Sequence, residues 1–501
     1  MDAYIQIRIN AISQAKPAIC RNEVSMKVII FGTGRYYQNR KHSLAGIDIV
    51  AFLDNDPGKQ HTEVDEKPVF LPQEIEQLSY DYICIMSGPY FAPMREQLIS
   101  LGVSEGAVID YSQLLGMTGG QMLYYRSMKG MPRLGAKRAL LFSHELELTG
   151  APIVLLYMAY ALKKMGFAVT VLSRRDGELR YKYMENDIPV IVNDHLSGDD
   201  QVLVEWMAAF DLIVINTLVF GEFLGEIERQ GESFDVPIIW WLHEGTEVYQ
   251  GWWPRANPGH LYDNVHVLAV GARALRVYQE YFHDNRAKSL IYGLPDANPE
   301  LMVQEKDYDK DKMIFALVAG IQPRKGQDLL IDAIRLLPEE DRQRAEFWFI
   351  GPKTETVYPE YNARFMEAAA SFPQIKYMGV WPMERMAAEY PNIDVIVCPS
   401  RDDPMPVVIP EAMMFFKPCI ASVGSGTASY IVDYKNGLRC EINAEDIAEK
   451  IKWYLHNPGE LPQMGKESRK LYEELFSIES FEKNLAGIID DCVKKDIPQT
   501  V

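Results

Sequence analysis

The chain has 501 residues, 48% hydrophobic and 24% charged, with a formal net charge of −19 at pH 7. That length exceeds one ordinary core and predicts two or three folded domains, while the composition argues against intrinsic disorder. The acidic balance argues against bulk binding to nucleic acid or anionic lipid, and no apolar run approaches the ~18 residues that cross a bilayer.

No charged n-region followed by an apolar h-region and a cleavage site opens the sequence, which predicts a cytoplasmic protein. Peripheral contact with the inner face of the membrane stays open. Six cysteines (Cys20, Cys84, Cys398, Cys419, Cys440 and Cys492) lack C-x-x-C spacing. They predict buried reduced thiols and no zinc site.

Three α/β blocks follow in chain order. In the first, the apolar run from Lys27 enters Gly32-Thr-Gly34, a second strand over Ile47–Leu53 ends at Asp54, and further strands fall at Tyr82–Met86 and Ala107–Ile109. This alternation is Rossmann-like. Gly32, Gly34 and Asp54 stand where a dinucleotide site keeps its glycines and ribose acid. Tyr37, however, occupies the third glycine position, where its bulk crowds helix–strand packing. The Tyr37-x-x-x-Lys41 spacing lies directly behind the turn and is read as coincidence. The block reads as a non-catalytic accessory domain, for nucleotide binding or assembly. The Gly- and Met-rich stretch from Gly116 to Gly135 reads as its linker.

In the second block, strands are expected at Ala139–Ser143, Ala168–Ser173, Pro189–Val192, Leu212–Asn216, Pro237–His243, Val267–Val270 and Ser289–Tyr292. Pro152 suits the first turn of a helix, Lys163 and Lys164 its last, and Gly166 its C-cap. His243 ends an apolar strand, a place where a lone histidine is often structural. The aromatic run Tyr249 to Trp253 offers stacking faces for a glycan, though buried aromatics are the commoner case. Arg174-Arg175 is a small basic patch. A polar stretch, Gln304 to Lys312, closes the block.

The third block alternates as regularly, with strands at Ile314–Ala319, Phe347–Ile350, Ile375–Met378, Val395–Cys398 and Cys419–Ser422. A helix over Gln327–Leu337 carries Leu329, Leu330, Ala333, Ile334 and Leu337 on one face. Just before it, Arg324, Lys325 and Gly326 form a cationic glycine turn, suited to phosphate at a helix start. From Ala444 the chain reads as helical. The most informative run is Cys398-Pro-Ser-Arg-Asp-Asp403, continuing to Pro410-Glu411-Ala. It sets two acids on a strand–loop–helix unit, the second in a helix's first turn. Carboxylates there suit sugar hydroxyls, through charge-assisted hydrogen bonds.

Five pieces in order resemble the retaining GT-B glycosyltransferases of family 4 (glycosyl transferases group 1): His144 to Ala151, Trp240 to Gly245, Gln322 to Leu330, the Asp403-x7-Glu411 run, and Gly426-Thr427-Ala428 with Asn436-Gly437. The resemblance covers roughly residues 138 to 495. Asp403 replaces the family's first Glu, Pro404 its following Gly, and Gly320 stands where the family places an arginine. Arg324 is the candidate to supply that charge.

The resemblance implies two facing Rossmann-like lobes in an α/β fold. The expected division is an accessory Rossmann-like domain at 1–130, an acceptor lobe at 136–303, a donor lobe at 304–480 and a crossover helix at 481–501. It further implies sugar transfer from a nucleotide diphosphate sugar, with a UDP-sugar expected, to a glycan or lipid-linked hydroxyl, with no metal and no cofactor. His243, Lys325, Asp403 and Glu411 would carry catalysis, and Gly150, Ala151, Arg324, Gly326, Gly426, Thr427 and Ala428 would bind the donor. Bacterial surface polysaccharide synthesis is the implied setting, alone, as a homo-oligomer or with other glycan-assembly enzymes. A catalytically impaired partner subunit and a nucleotide-sugar epimerase are the rival readings.

Overall fold

The computed structural model describes residues 26–38, 40–44, 47–87, 90–111, 113–114, 123–125, 136–194, 196–229, 234–298, 312–355 and 357–494. The expected linker between Gly116 and Gly135 lies outside the described residues apart from Leu123–Tyr125. Cys20 and all but Lys312 of the polar stretch from Gln304 also lie outside them. The chain divides into two compact units. One holds residues 1–148, 168–211 and 226–234; the other holds 149–167, 212–225 and 235–501.

The first unit opens with a six-stranded sheet: β1 (Lys27–Phe31), β2 (Asp48–Leu53), β3 (Glu63–Val64), β4 (Lys67–Phe70), β5 (Tyr82–Ile85) and β6 (Val108–Asp110). The order is β3-β4-β2-β1-β5-β6, and β3 alone runs antiparallel, against β4. Strand side chains alternate between faces. Val28 and Ile30 therefore join Phe52 and Cys84 on one side, while Ile29 and Phe31 join Leu53, Ile83 and Ile85 on the other. The β3–β4 hairpin escapes the sequence reading because Pro68 and four charged residues break any apolar run.

The same unit contains β8 (Arg138–Ser143), β9 (Ala168–Ser173) and β10 (Val190–Val192), parallel neighbours edged by antiparallel β7 (Leu123–Tyr125). The second unit holds β11 (Leu212–Asn216), β12 (Ile238–Leu242), β13 (Val265–Ala269) and β14 (Lys288–Ser289), all parallel. Near-continuous apolar runs suit such doubly covered strands, and every residue of β11 and β12 is buried.

Its other sheet has β15 (Met313–Val318), β16 (Ala345–Ile350), β17 (Ile375–Gly379), β18 (Val395–Cys398), β19 (Cys419–Ser422) and β20 (Gly437–Cys440). They pair in parallel in the order β17-β16-β15-β18-β19-β20. Phe315, Phe347, Val395 and Ile420 pack there against Leu330 and Ile334 of the helix Gln327–Leu336 and Ile447 and Ile451 of the helix Ala444–His456. β20 reads as loop in sequence because it opens on Asn436-Gly437, a turn signal. Five cysteines are buried free thiols. No helix among the described residues is long and apolar enough to cross a membrane.

Candidate functional site

The site grows from the ends of β15 and β18, neighbours in one sheet. Beyond β15, Pro323–Lys325 makes a single 3-10 turn, and Gly326 at φ +73° starts the helix Gln327–Leu336. Only glycine fits there: a Cβ would lie 2.2 Å from the Pro399 carbonyl oxygen. The fully buried Gln327 fixes the loop from beneath, its Nε2 donating to the Gly320 carbonyl at 2.9 Å. That turn aims two cations at one acid. Lys325 Nζ pairs directly with Asp403 Oδ2. Arg324 Nη1 lies 3.8 Å from the same oxygen and donates to the Asp402 carbonyl at 3.0 Å.

Asp403 is held by backbone as well. Its N–H donates to the Gly424 carbonyl at 3.0 Å, and its carbonyl accepts from Gly426 N–H at 2.8 Å. A Cβ on Gly426 would stand 1.7 Å from the Pro404 oxygen, so this loop closes on Asp403 only without a side chain. Thr427 and Ala428 are buried behind it, with the Thr427 hydroxyl 2.7 Å from that of Ser425. The Gly426-Thr427 loop is a five-residue 3-10 turn, Gly426–Tyr430. It is too short to build a macrodipole.

Glu411 lies in the first turn of the helix Val408–Met414 and is half-buried. Tyr390 OH donates to its Oε2 at 3.0 Å. Burial pushes the Glu411 carboxyl up to about 7, against the stabilising Tyr390 bond. Burial likewise raises the Tyr292 hydroxyl, and the charges of both Asp403 and Glu411 add to that rise. The two acids of the sequence motif therefore share one neighbourhood around Tyr292, whose OH donates to the Met405 carbonyl at 3.2 Å.

His243 follows β12, half-buried, its ring 4.5 Å from the Trp241 ring. Its backbone is fixed by Glu244, whose carboxylate accepts from His243 N–H at 2.8 Å and Leu218 N–H at 3.0 Å. Burial pushes Glu244 up to about 7. Gly150 begins the helix Gly150–Lys164 and is exposed, with no atom near its missing Cβ; Ala151 accepts from Asn216 Nδ2 at 3.0 Å. The aromatic run lies in the helix Thr246–Ala256, where Tyr249 and Trp253 pack on Tyr281 and only Trp252 is well exposed.

Sequence reasoning missed Asp402, which is 7% exposed and binds back to the segment carrying His243. It accepts from Arg273 Nε at 3.0 Å, Arg273 Nη2 at 2.8 Å and Glu247 N–H at 3.0 Å. A Cβ on Gly245 would lie 2.5 Å from it. Asp403 and the His243 turn are thereby tied together within one unit. The available signal was the doubled acid, Asp402-Asp403.

In the first unit, Gly32 takes φ +108° after β1, and the helix after it spans only Arg35–Gln38. Asp54 accepts from Thr33 N–H at 3.2 Å, from the Thr33 hydroxyl, from Lys59 Nζ at 2.9 Å and from Asp56 N–H at 3.0 Å. Burial alone would raise its carboxyl, but these bonds outweigh it and hold the group below the usual range. Asp54 is thus fully engaged by its own domain. Gly34 is exposed, with nothing near its missing Cβ.

Residues 300–471 match the family model described as glycosyl transferases group 1. Residues 135–286 match glycosyl-transferase family 4, and residues 24–109 match a C2185-like N-terminal model. An uncharacterized glycosyltransferase of Methanocaldococcus jannaschii is 29% identical over 205 residues, 41% of this chain and 52% of that one. A D-inositol 3-phosphate glycosyltransferase of Corynebacterium efficiens is 25% identical over 191 residues, 36% of this chain and 45% of the relative. The chain thus spans about half the length of these relatives. Among solved structures, the Anabaena HepE complex with UDP-glucose aligns at TM-score 0.59 and 17% identity, covering 71% of this chain and 99% of that one. Sucrose-phosphate synthase from Thermosynechococcus elongatus aligns at 0.56 and 19%, covering 72% and 100%. The fold is that of the GT-B glycosyltransferases.

Proposed function

We propose that this chain, with its GT-B fold and its segments matching the group 1 and family 4 glycosyltransferases, is a retaining, metal-independent glycosyltransferase. It moves a sugar from a nucleotide diphosphate sugar to a hydroxyl of a glycan or lipid-linked acceptor. The observation that carries the reading is the convergence of Lys325 and Arg324 on Asp403, with Glu411 in the same neighbourhood. A cationic glycine turn beside two acids suits a molecule with a diphosphate at one end and hydroxyl groups at the other. The UDP and UDP-glucose named with the Anabaena structures support a UDP-sugar donor.

In this reading Lys325 and Arg324 neutralise the diphosphate as the glycosidic C–O bond breaks. Donor binding exchanges the Lys325–Asp403 pair for phosphate on the lysine and sugar hydroxyls on the acid. Glu411 takes the ribose hydroxyls, and His243 contacts the donor sugar near its anomeric centre. The acceptor oxygen attacks from the face the nucleotide leaves, and its proton passes to the departing phosphate oxygen. No side chain needs to act as nucleophile; positioning and preorganised charge do the catalysis. The proposed division is an accessory domain at 1–130, an acceptor lobe at 136–303, a donor lobe at 304–480 and a closing helix at 481–501. The setting is the cytoplasmic side of surface glycan synthesis.

A thermal-shift panel of nucleoside diphosphates and their sugars tests this, since a selective binder stabilises by mass action. UDP and one UDP-sugar are expected to raise the melting temperature, and the purified protein to release UDP slowly from that sugar without an acceptor. A chain that binds no nucleotide, or binds UDP without ever consuming a UDP-sugar, would sink the enzyme reading.

A further inference from the structure

We infer that the carboxyl ends of β8, β9 and β10, together with Arg40 of the N-terminal domain, form an anion site for a phosphate or carboxylate group on the acceptor. The inference rests on the transferase reading only for the word acceptor; the site stands on its own geometry within the first unit.

Arg174 and Arg175 directly follow β9, His144 and Glu145 follow β8, and Asp194 lies just past β10. These strands are adjacent and parallel, and ligands of open α/β sheets gather beyond such strand ends. Arg175 Nη2 lies 3.1 Å from Glu145 Oε2, and Arg174 Nη2 donates to the Leu196 carbonyl at 3.4 Å.

The N-terminal domain completes the cluster. Tyr111 OH donates to Asp194 Oδ2. The Arg40 guanidinium stacks 3.8 Å from the centre of the Tyr36 ring and 5.7 Å from that of Tyr111. Burial lowers the Arg40 pKa; the charge of Arg175 lowers it further, while that of Asp194 opposes the shift. Burial also holds His144 neutral, its pKa down at about 4, with Arg175 and Arg174 adding to that shift and Glu145 opposing it. Among the described residues, three guanidinium groups therefore gather with two carboxylates, Glu145 and Asp194, while the nearby Asp176 pairs with Arg180. Among these groups the balance is positive, and it is made of the one side chain whose planar fork matches phosphate and carboxylate oxygens two at a time. Ring stacking holds Arg40 in place before any ligand arrives. The N-terminal domain, whose own glycine turn leads into a helix described over Arg35–Gln38, gains a role: it lends a cation to its neighbour.

Glucose 1-phosphate, glucuronate and neutral glucose are titrated by thermal shift against the full chain and its Arg40→Gln and Arg174→Gln variants, with UDP as a control. The expected result is that at least one of the two anionic sugars stabilises the wild type and glucose does not. Each variant should weaken that binding roughly tenfold or more while keeping its response to UDP. The phosphate and carboxylate arms show which group the site takes. An anion response that persists unchanged in both variants, or its absence in the wild type, overturns the site. Loss of the UDP response in the wild type would instead sink the nucleotide-sugar reading and leave this one standing. Should Arg40→Gln fail to fold, Arg174→Gln decides.

Discussion

Two glycine turns, one after β1 and one after β15, look alike in sequence and differ in what they can hold. Both follow buried strands, and both place a glycine at positive φ, +108° at Gly32 and +73° at Gly326. Behind Gly326 runs a helix of ten residues; behind the first turn runs one of four. Around Lys325 the partner acid comes from a loop 78 residues away. Around Gly32 the acid is Asp54, fully engaged by Thr33 and Lys59. A strand–glycine turn therefore reports a backbone shape. Its ligand is decided by the side chains that other strands bring to it.

That contrast can be broken most forcefully at the charged groups of the proposed donor site. Lys325→Ala and Glu411→Ala should each lower turnover by roughly 10²-fold or more, measured as steady-state transfer once the donor is identified. Near wild-type rates in both variants, with folding intact, would refute the donor-site assignment. The two turns can then be compared through their glycines. Gly326→Ala should cost roughly 1–3 kcal/mol in urea denaturation, because its methyl group meets the Pro399 oxygen. Gly34→Ala, with open space around it, should change stability by less than about 0.5 kcal/mol.

Asp402→Ala leaves the Arg273 guanidinium and the Glu247 N–H without their acceptor. A loss of roughly 1–3 kcal/mol is expected, and an unchanged denaturation midpoint would show that the tie is idle. The Glu411 carboxyl gives a pH test. Its folded pKa, about 7, stands above the ordinary value of 4.5. Between those values the folded state binds more protons than the unfolded chain, so this group removes stability as pH rises through the window. Glu411→Gln should be spared that loss, and a stability difference between the two proteins that stays flat from acid to neutral pH would contradict it. The smallest effect belongs to Asp54→Ala, which should leave turnover within about twofold, since it breaks only contacts internal to the N-terminal domain; a larger drop would restore that turn as a functional site.

Much of this was legible in the residues. The apolar runs at Ala168–Ser173, Leu212–Asn216, Val395–Cys398 and Cys419–Ser422 are strands with the expected bounds. The helix expected over Gln327–Leu337 ends one residue earlier. Short elements escaped, because β3 and β4 carry a proline and charges, and β20 follows Asn436 on an Asn-Gly pair that reads as a turn.

Sequence alone determined the alternation of strands and helices, the glycine turn at Lys325 and the acid pair at Asp403 and Glu411. Each of these is a local matter: apolar periodicity, helix punctuation and residue type follow from neighbours along the chain. Only the tertiary structure decided that Lys325 faces Asp403, that Asp402 reaches Arg273 across 129 residues, and that Arg40 stacks on Tyr36 near Tyr111, which bonds Asp194 just past β10. Those pairings depend on strand order and burial, which bring distant charges together. They also depend on which partner each charge finds once water has been excluded from around it.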